Sequence, residues 1–506
     1  MNDKVIVIGS GFGGSITAGK LAEAGFQVTV LERGPWRDTV PVRSMGINHV
    51  TPFPRGWRLF TRLFRTLGSQ RWWAKRFSPN KLGLYEFFFG DKVNVLCSSS
   101  VGGGSHVYSG INIRPVVPGY WDGHDPAIST EQMEAHYRAV LERMGSATPM
   151  ADHAIPNTST ARFRDSEVLE PSPPPPDPRL GFLFAEETGN PQKVTDENGI
   201  ERHEVDFNNP DDGFLGSPKG GKTTVDFIYL APALKHKLTV RDLAEVKAIM
   251  RDEGGNRPRF KVEFYDHHAK RAQTLGADHV IVAAGTLNTL RLLFHSRDVA
   301  RGLTGMPMLG QRFGTNGDMM GYWDYNEAGS DLSLGLPTAG GYRVKGAENP
   351  PIIGGGGFPS VDHYPLPKRI RERIKRGTFI AGIGEDAMDG VVSYTNGQLK
   401  INYDPDNSPV FKRIDDTVDA IAEKTGTKIY RPKKPITVHP TGGARLGASI
   451  EEGVVDANGE VFDIPGLYVA DATALPRAPG GPPSMTIAAW ANHVAESFIK
   501  RHKGDA

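Results

Sequence analysis

Val5-Ile6-Val7-Ile8-Gly9-Ser10-Gly11-Phe12-Gly13-Gly14-Ser15 decides the fold. Its first four residues are β-branched and apolar, the pattern of a strand buried on both faces, and the glycine turn that follows runs straight into the helical pattern of Ser15 to Ala24. Gly25 stops that helix, Gln27 to Leu31 reads as a second parallel strand, and Glu32 stands at its end. A strand, turn, helix and strand in this order make a dinucleotide site. Gly9 permits the tight turn, Gly11 lets the backbone meet a diphosphate, and Gly14 lets helix pack on strand, while the helix start at Phe12 and Gly13 offers N–H groups to the anion. Glu32, with Arg33 next to it in the expected cofactor set, accepts ribose hydroxyls and repels a 2′-phosphate. An unphosphorylated adenosine is expected.

Working outward, Leu238 to Val240, His279 to Gly285 and Gly466 to Asp471 are further strand candidates for the same sheet. Thr286 to His295 and Met485 to Lys500 carry helical spacing. The expected fold is therefore α/β, a discontinuous Rossmann-like nucleotide domain with an inserted α+β substrate domain built on an antiparallel sheet. The nucleotide domain is assigned to residues 1–45, 86–118, 220–310 and 435–506, a basic aromatic lid or cover to 46–85, and the substrate domain with insertions to 119–219 and 311–434. At 506 residues, two such units are the natural division. Glu170 to Pro178 (EPSPPPPDP) is expected to be an extended surface connector. From Thr39 to Tyr85 there is no acidic residue, yet Arg55, Arg58, Arg62, Arg65, Arg71, Lys75 and Arg76 alternate with Trp57, Phe60, Phe64, Trp72 and Trp73. Three readings stay open for this stretch: peripheral contact with a membrane surface, a cover over an apolar substrate pocket, or a packed cover with solvated basic edges.

The 59 basic and 58 acidic residues cancel, which removes the electrostatic case for a nucleic-acid partner. Cys97 is the single cysteine, so no internal disulfide forms and no metal-ligand set is expected. It reads as a small core residue closing an apolar strand. No run is apolar enough to span a bilayer, and Met1 leads almost at once into a strand, so no leader and a cytoplasmic residence are expected. Oligomeric state has no sequence signal.

A second loop of small residues, Ser98 to Ser105, suits passage under a diphosphate and along a flavin ring. NAD enzymes need no such loop, so FAD is the expected cofactor. Six stretches then appear in order: VIVIGSGFGGS with LERG, SSSVGGGSHVYSG, VIVAAGTLNTLRLL, LGQRFGTNGD, VHPTGGARLG, and GLYVADATALPRAPGGPPSMTIAAWA. On these the chain resembles the glucose-methanol-choline family, in its cholesterol-oxidase-like branch. The resemblance implies that Val101, Gly102, Gly103, Gly104 and Ser105 run along the cofactor, that Val246 meets the adenine, and that Ala284 and Gly285 join the site. It further implies that Asp471 with Ala472 holds the ribityl or diphosphate part, and that Pro483, Ser484 and Met485 cap the isoalloxazine. His439 is carried over as the base that takes a hydroxyl proton while hydride passes to flavin N5. His106 and Tyr108 are further donor candidates near the flavin, with packing as the alternative for each.

Two positions depart from the branch. Pro482 stands where relatives carry an Asn before the proline of the cap, and Pro350 to Phe358, the stretch matched to the region of a proton-moving Glu, holds no carboxylate. The expected function is oxidation of a hydroxyl on a bulky apolar, sterol- or terpenoid-like alcohol, with oxygen or another acceptor taking the electrons. The alternatives are an isomerase-like conversion without net redox, and a non-catalytic FAD-binding module.

Overall fold

The computed structural model describes residues 3–71, 76–147, 169–171, 179–185, 190–205, 211–252, 254, 258–324, 331–334, 341–345, 351–357 and 360–504. β1 (Lys4–Ile8) and β2 (Gln27–Leu31) lie parallel, joined by α1 (Phe12–Glu23). The helix ends as its sequence requires: Gly25, at φ +87°, donates to Ala22 O and Phe26 donates to Leu21 O. β1 and β2 belong to a five-stranded parallel sheet in the order Leu467–Val469, His279–Val282, β1, β2, Leu238–Arg241. Every distant strand candidate named from the sequence joins it. Val7, Val30, Val280, Ile281 and Val282 are fully buried, and α1 packs against the C-terminal helix Ser484–Lys503, which is how continuous apolar strands are covered.

A six-stranded sheet forms the second layer system: Lys428–Tyr430, Met319–Asp324, Gly377–Ile383, Ile352–Gly356, Gly341–Val344 and Leu169–Pro171, antiparallel throughout. The helix Pro409–Thr425 lays Val410, Ile414, Val418 and Ile421, spaced at helical period, against Trp323, Ile353 and Ile380. A three-stranded antiparallel sheet, Ala244–Arg251, Phe260–Asp266 and Arg271–Ala277, has a register shift between Val246 and Ala248.

The segment 46–85 is not a separate cover. Its strand Phe64–Ser69 is the outer member of a four-stranded sheet with Tyr85–Phe89, Asn94–Ser98 and Ile436–Thr437, so the expected boundary at residue 85 falls inside a paired strand. Two of its cations are turned inward by carboxylates: Arg65 is wholly buried and lies 3.2 Å from Glu245, and Arg76 lies 3.3 Å from Glu86. Trp57 and Phe60, 80% and 69% exposed, stand outside with ring centroids 5.6 Å apart. Trp72, Trp73 and Lys75 lie outside the described residues, as does the connector beyond Pro171 as far as Pro178. None of the described helices is long and apolar enough to cross a membrane.

Candidate active site and cofactor cavity

A cavity of about 520 Å³ opens where the parallel strands end, reaching from the β1–α1 turn to the His439–Pro440 turn. Ile8, Leu31 and Ala283 deliver the chain to its wall, and Gly9, Glu32 and Ala284 follow them there. The glycines of the first turn divide by what surrounds them. A Cβ on Gly9 would sit 2.3 Å from Ala283 O, one on Gly13 would sit 2.0 Å from Ala470 O, and one on Gly14 would sit 2.0 Å from Gly9 O, so these three keep backbones in contact. Gly11 and Gly285 differ. A Cβ on either meets no atom within 4 Å, although both residues line the cavity.

Ser100 also lines the cavity, and its buried hydroxyl has no hydrogen-bond partner within the protein. Bare backbone at Gly11 beside the start of α1, together with an orphaned hydroxyl, is the lining a diphosphate-bearing cofactor requires. FAD fits these residues. Gly11, Phe12 and Ser100 would hold its diphosphate, Glu32 and Val246 its adenosine, and Gly103, Gly104, Ala472 and Pro483 its ring end; all nine line the cavity.

Glu32 is 6% exposed and accepts from Ser10 N at 3.0 Å, Ser10 Oγ at 2.8 Å and Gly34 N at 2.7 Å. Burial pushes its carboxyl pKa up, against the pull of those donors. Arg33 lines the cavity as well and reaches Asn288 Oδ1 at 3.1 Å and Glu86 at 2.6 Å. Asp471 faces the cavity but is also a clamp, accepting from Gly285 N at 2.9 Å, Thr289 Oγ1 at 2.6 Å and Thr473 N at 3.0 Å. Cys97 packs against the core and also lines the cavity, and burial pushes its thiol up to about 12, which leaves it unreactive at neutral pH.

Several residues expected at the cofactor stand behind the wall. Val101 is fully buried, Gly102 donates to Ser10 O at 3.1 Å and so ties the second loop to the first, and Ser105 Oγ bonds Gly102 O at 2.7 Å. Met485 is in the core, and Ser484 Oγ is committed to Ile111 O at 3.0 Å. His106 and Tyr108 need the same correction. The chain after Gly102 tightens into the 3₁₀ turn Gly103–His106, which carries both rings away from the cavity. His106 is wholly buried with Nε2 2.7 Å from Val101 O, and burial lowers its pKa. Tyr108 donates to Thr223 O at 3.0 Å and meets Phe12 edge-on at 5.4 Å. Neither lines the cavity.

His439 does line it, with its side chain 20% exposed. Its Nδ1 lies 2.8 Å from Asp318 Oδ1. A carboxylate only accepts, so Nδ1 carries the proton and Nε2 keeps its lone pair. Asp318 is 1% exposed, and its other oxygen accepts from Thr437 Oγ1 at 2.7 Å, Val438 N at 2.9 Å and His439 N at 3.2 Å. Four donors thus converge on one buried carboxylate, which fixes both the imidazole and the backbone that carries it. Sequence reading passed over Asp318 although it closes the stretch LGQRFGTNGD. The usable signal was an acidic residue directly after an Asn-Gly turn and directly before the apolar strand Met319–Asp324. Asn316 in the same turn donates to Gly481 O at 2.8 Å and accepts from Gly480 N at 2.9 Å, holding the Pro-Gly-Gly bend against the site.

Residues 384–491 match the family described as GMC oxidoreductase, and residues 2–52 match the FAD binding domain. A cholesterol oxidase of Mycobacterium tuberculosis is 24% identical, with 99% of this chain and 92% of that protein covered. A long-chain-alcohol oxidase of Arabidopsis thaliana is 23% identical over 98% of this chain and 67% of its own. Among solved structures, pyridoxine 4-oxidase from Mesorbium loti superposes with a TM-score of 0.63 at 17% identity, covering 99% of this chain and all of that one, which shows a shared fold. With both family matches and the full-length likeness to cholesterol oxidases, the chain is similar to the glucose-methanol-choline oxidoreductases, in their cholesterol-oxidase-like branch, and its cofactor is FAD.

Proposed function

We propose that the protein oxidises the hydroxyl group of a bulky apolar, sterol- or terpenoid-like alcohol, with His439 as the base. The observation that carries this reading is the Asp318–His439 pair at the cavity wall, 2.8 Å apart. Bound FAD supplies the acceptor for the hydride that leaves the carbinol carbon, and oxygen or another acceptor removes the electrons afterwards. His439 Nε2 takes the hydroxyl proton, and the Asp318 carboxylate stabilises the imidazolium that results. The helix Ser484–Lys503 begins beside the cavity, where Pro483 and Ile487 line it, and has no acidic residue in its first turn. Its positive end favours the negative charge that accumulates on the cofactor side of the reaction. The substrate class is supported by relatives named for cholesterol and long-chain alcohols.

Anaerobic mixing of the FAD-loaded protein with sterols, terpenoid alcohols and long-chain alcohols is expected to bleach the flavin absorbance lastingly with at least one of them. Conversion without bleaching would move the assignment to isomerisation, and silence across the panel would overturn the substrate class. Trp57 and Phe60, flanked by Arg58 and Arg62, further support uptake of substrate from a lipid surface. The double variant Trp57→Ala, Phe60→Ala is expected to lose rate on alcohol held in anionic vesicles and to match the unaltered protein on the same alcohol in detergent. Equal losses in both would remove that role.

A further inference from the structure

We propose that Asp3, His279 and His502 form a site for one divalent transition-metal cation, distinct from the cofactor cavity. Three segments remote in sequence meet there. Asp3 immediately precedes β1, His279 opens the neighbouring parallel strand opposite Val5, and His502 lies in the last turn of the helix Ser484–Lys503. One ligand atom from each of the three residues lies within 4.8 Å of the other two.

His279 provides the independent observation. It is 2% exposed, and neither ring nitrogen makes a hydrogen bond; Nε2 stands 3.5 Å from a carboxylate oxygen of Asp3. The His502 ring is 4.4 Å away between centroids, and its Nε2 is likewise buried without a hydrogen-bond partner. Buried polar nitrogens are nearly always satisfied, so two rings that each bring a nitrogen without a hydrogen bond to one carboxylate mark a place built for something else. Phe498 closes the spot on the apolar side, with its ring 4.9 Å from His279 and 4.4 Å from His502.

The chemistry suits a borderline-soft cation such as zinc, which takes imidazole nitrogen and carboxylate oxygen in a tetrahedron completed by water. Ligand atoms in such a tetrahedron are about 3.3 Å apart, a separation the His279–Asp3 pair already approaches. The third ligand sits on the final turn of a terminal helix, where closing by about an ångström costs little. The helix terminus directs its negative pole at the site, and Asp3 and Glu460 add to that attraction. Arg259 and Arg501 oppose it, which favours a divalent ion held by direct ligation over a loosely attracted monovalent one. Positions 3, 279 and 502 have no motif spacing, so the sequence offers no hint of the set.

The test uses untagged, FAD-loaded protein titrated with cobalt(II) chloride and then with zinc chloride. One equivalent of cobalt is expected to give the intense visible bands of a tetrahedral site and to raise the melting temperature, and zinc is expected to displace it. His502→Gln, at the frayed helix end, should keep FAD loading and weaken cobalt binding by about a hundredfold; Asp3→Asn should weaken it as well. His136→Gln, at a separate cluster with His493, should leave binding unchanged. Weak octahedral bands only, absence of saturable binding, or affinity unmoved by His502→Gln would overturn the proposal.

Discussion

Asp318→Asn is expected to lower the rate of alcohol oxidation by about a thousandfold, or about 4 kcal/mol of transition-state stabilisation, while FAD remains bound. The buried carboxylate accepts four hydrogen bonds, among them the one from His439 Nδ1. An amide in its place has one acceptor oxygen. If its NH₂ group turns to the ring, Nδ1 becomes the acceptor and the proton moves to Nε2, where it blocks the removal of the substrate proton. If its oxygen turns to the ring, the donors at Thr437 and Val438 face an NH₂ instead, which costs about 2 kcal/mol and loosens the histidine backbone. Either way the negative charge that stabilises imidazolium is gone. His439→Ala should remove about as much activity, and the double variant should be no slower than His439→Ala alone, because the carboxylate acts only by holding and charging His439. Stopped-flow flavin reduction under anaerobic conditions measures all three. Additive losses would show that Asp318 acts by some other route.

Gly11→Val is expected to yield a folded, colourless protein. A Cβ at Gly11 meets no protein atom within 4 Å, and the residue lines the cavity at the start of α1, so the added side chain occupies only the volume a diphosphate needs. Its φ of −70° strains no L-residue. Gly13→Ala makes the contrast, because its Cβ would lie 2.0 Å from Ala470 O. That overlap is between backbones that cannot yield cheaply, and a loss of about 3 kcal/mol of stability is expected. Flavin absorbance of the purified variants against their melting curves separates the outcomes. A yellow Gly11→Val protein would relocate the diphosphate.

The parallel sheet was legible because both its faces are covered. Strands such as His279–Val282 and Leu467–Val469 therefore show as unbroken apolar runs wherever they occur along the chain. Glu32 was legible for a related reason, since it directly follows β2 at the sheet's carboxyl edge, whereas Val246 and His439, attached to other sheets, were reached only through the family resemblance. His106 and Tyr108 were misplaced because a loop sequence does not reveal its curl. Once Gly102 adopts φ +91° and the chain tightens, proximity in sequence to the glycines ceases to mean proximity to the ligand. Arg65 and Arg76 misled in the opposite sense, for composition cannot show that Glu86 and Glu245, from other segments, draw them inside. Asp318 escaped because its meaning lies in a partner 121 residues away.

The proton-accepting pair has one further consequence. Asp318 enters the six-stranded antiparallel sheet one residue later, whereas His439 follows a strand of the four-stranded sheet, and Gly314 and Thr441 exchange backbone hydrogen bonds of 2.9 and 3.0 Å across the same seam. A clamshell movement of these two layers would tear the base from its support in the middle of each turnover. Any breathing that admits substrate and releases product must therefore be confined to the rim, leaving the junction as still as the interior of a crystal.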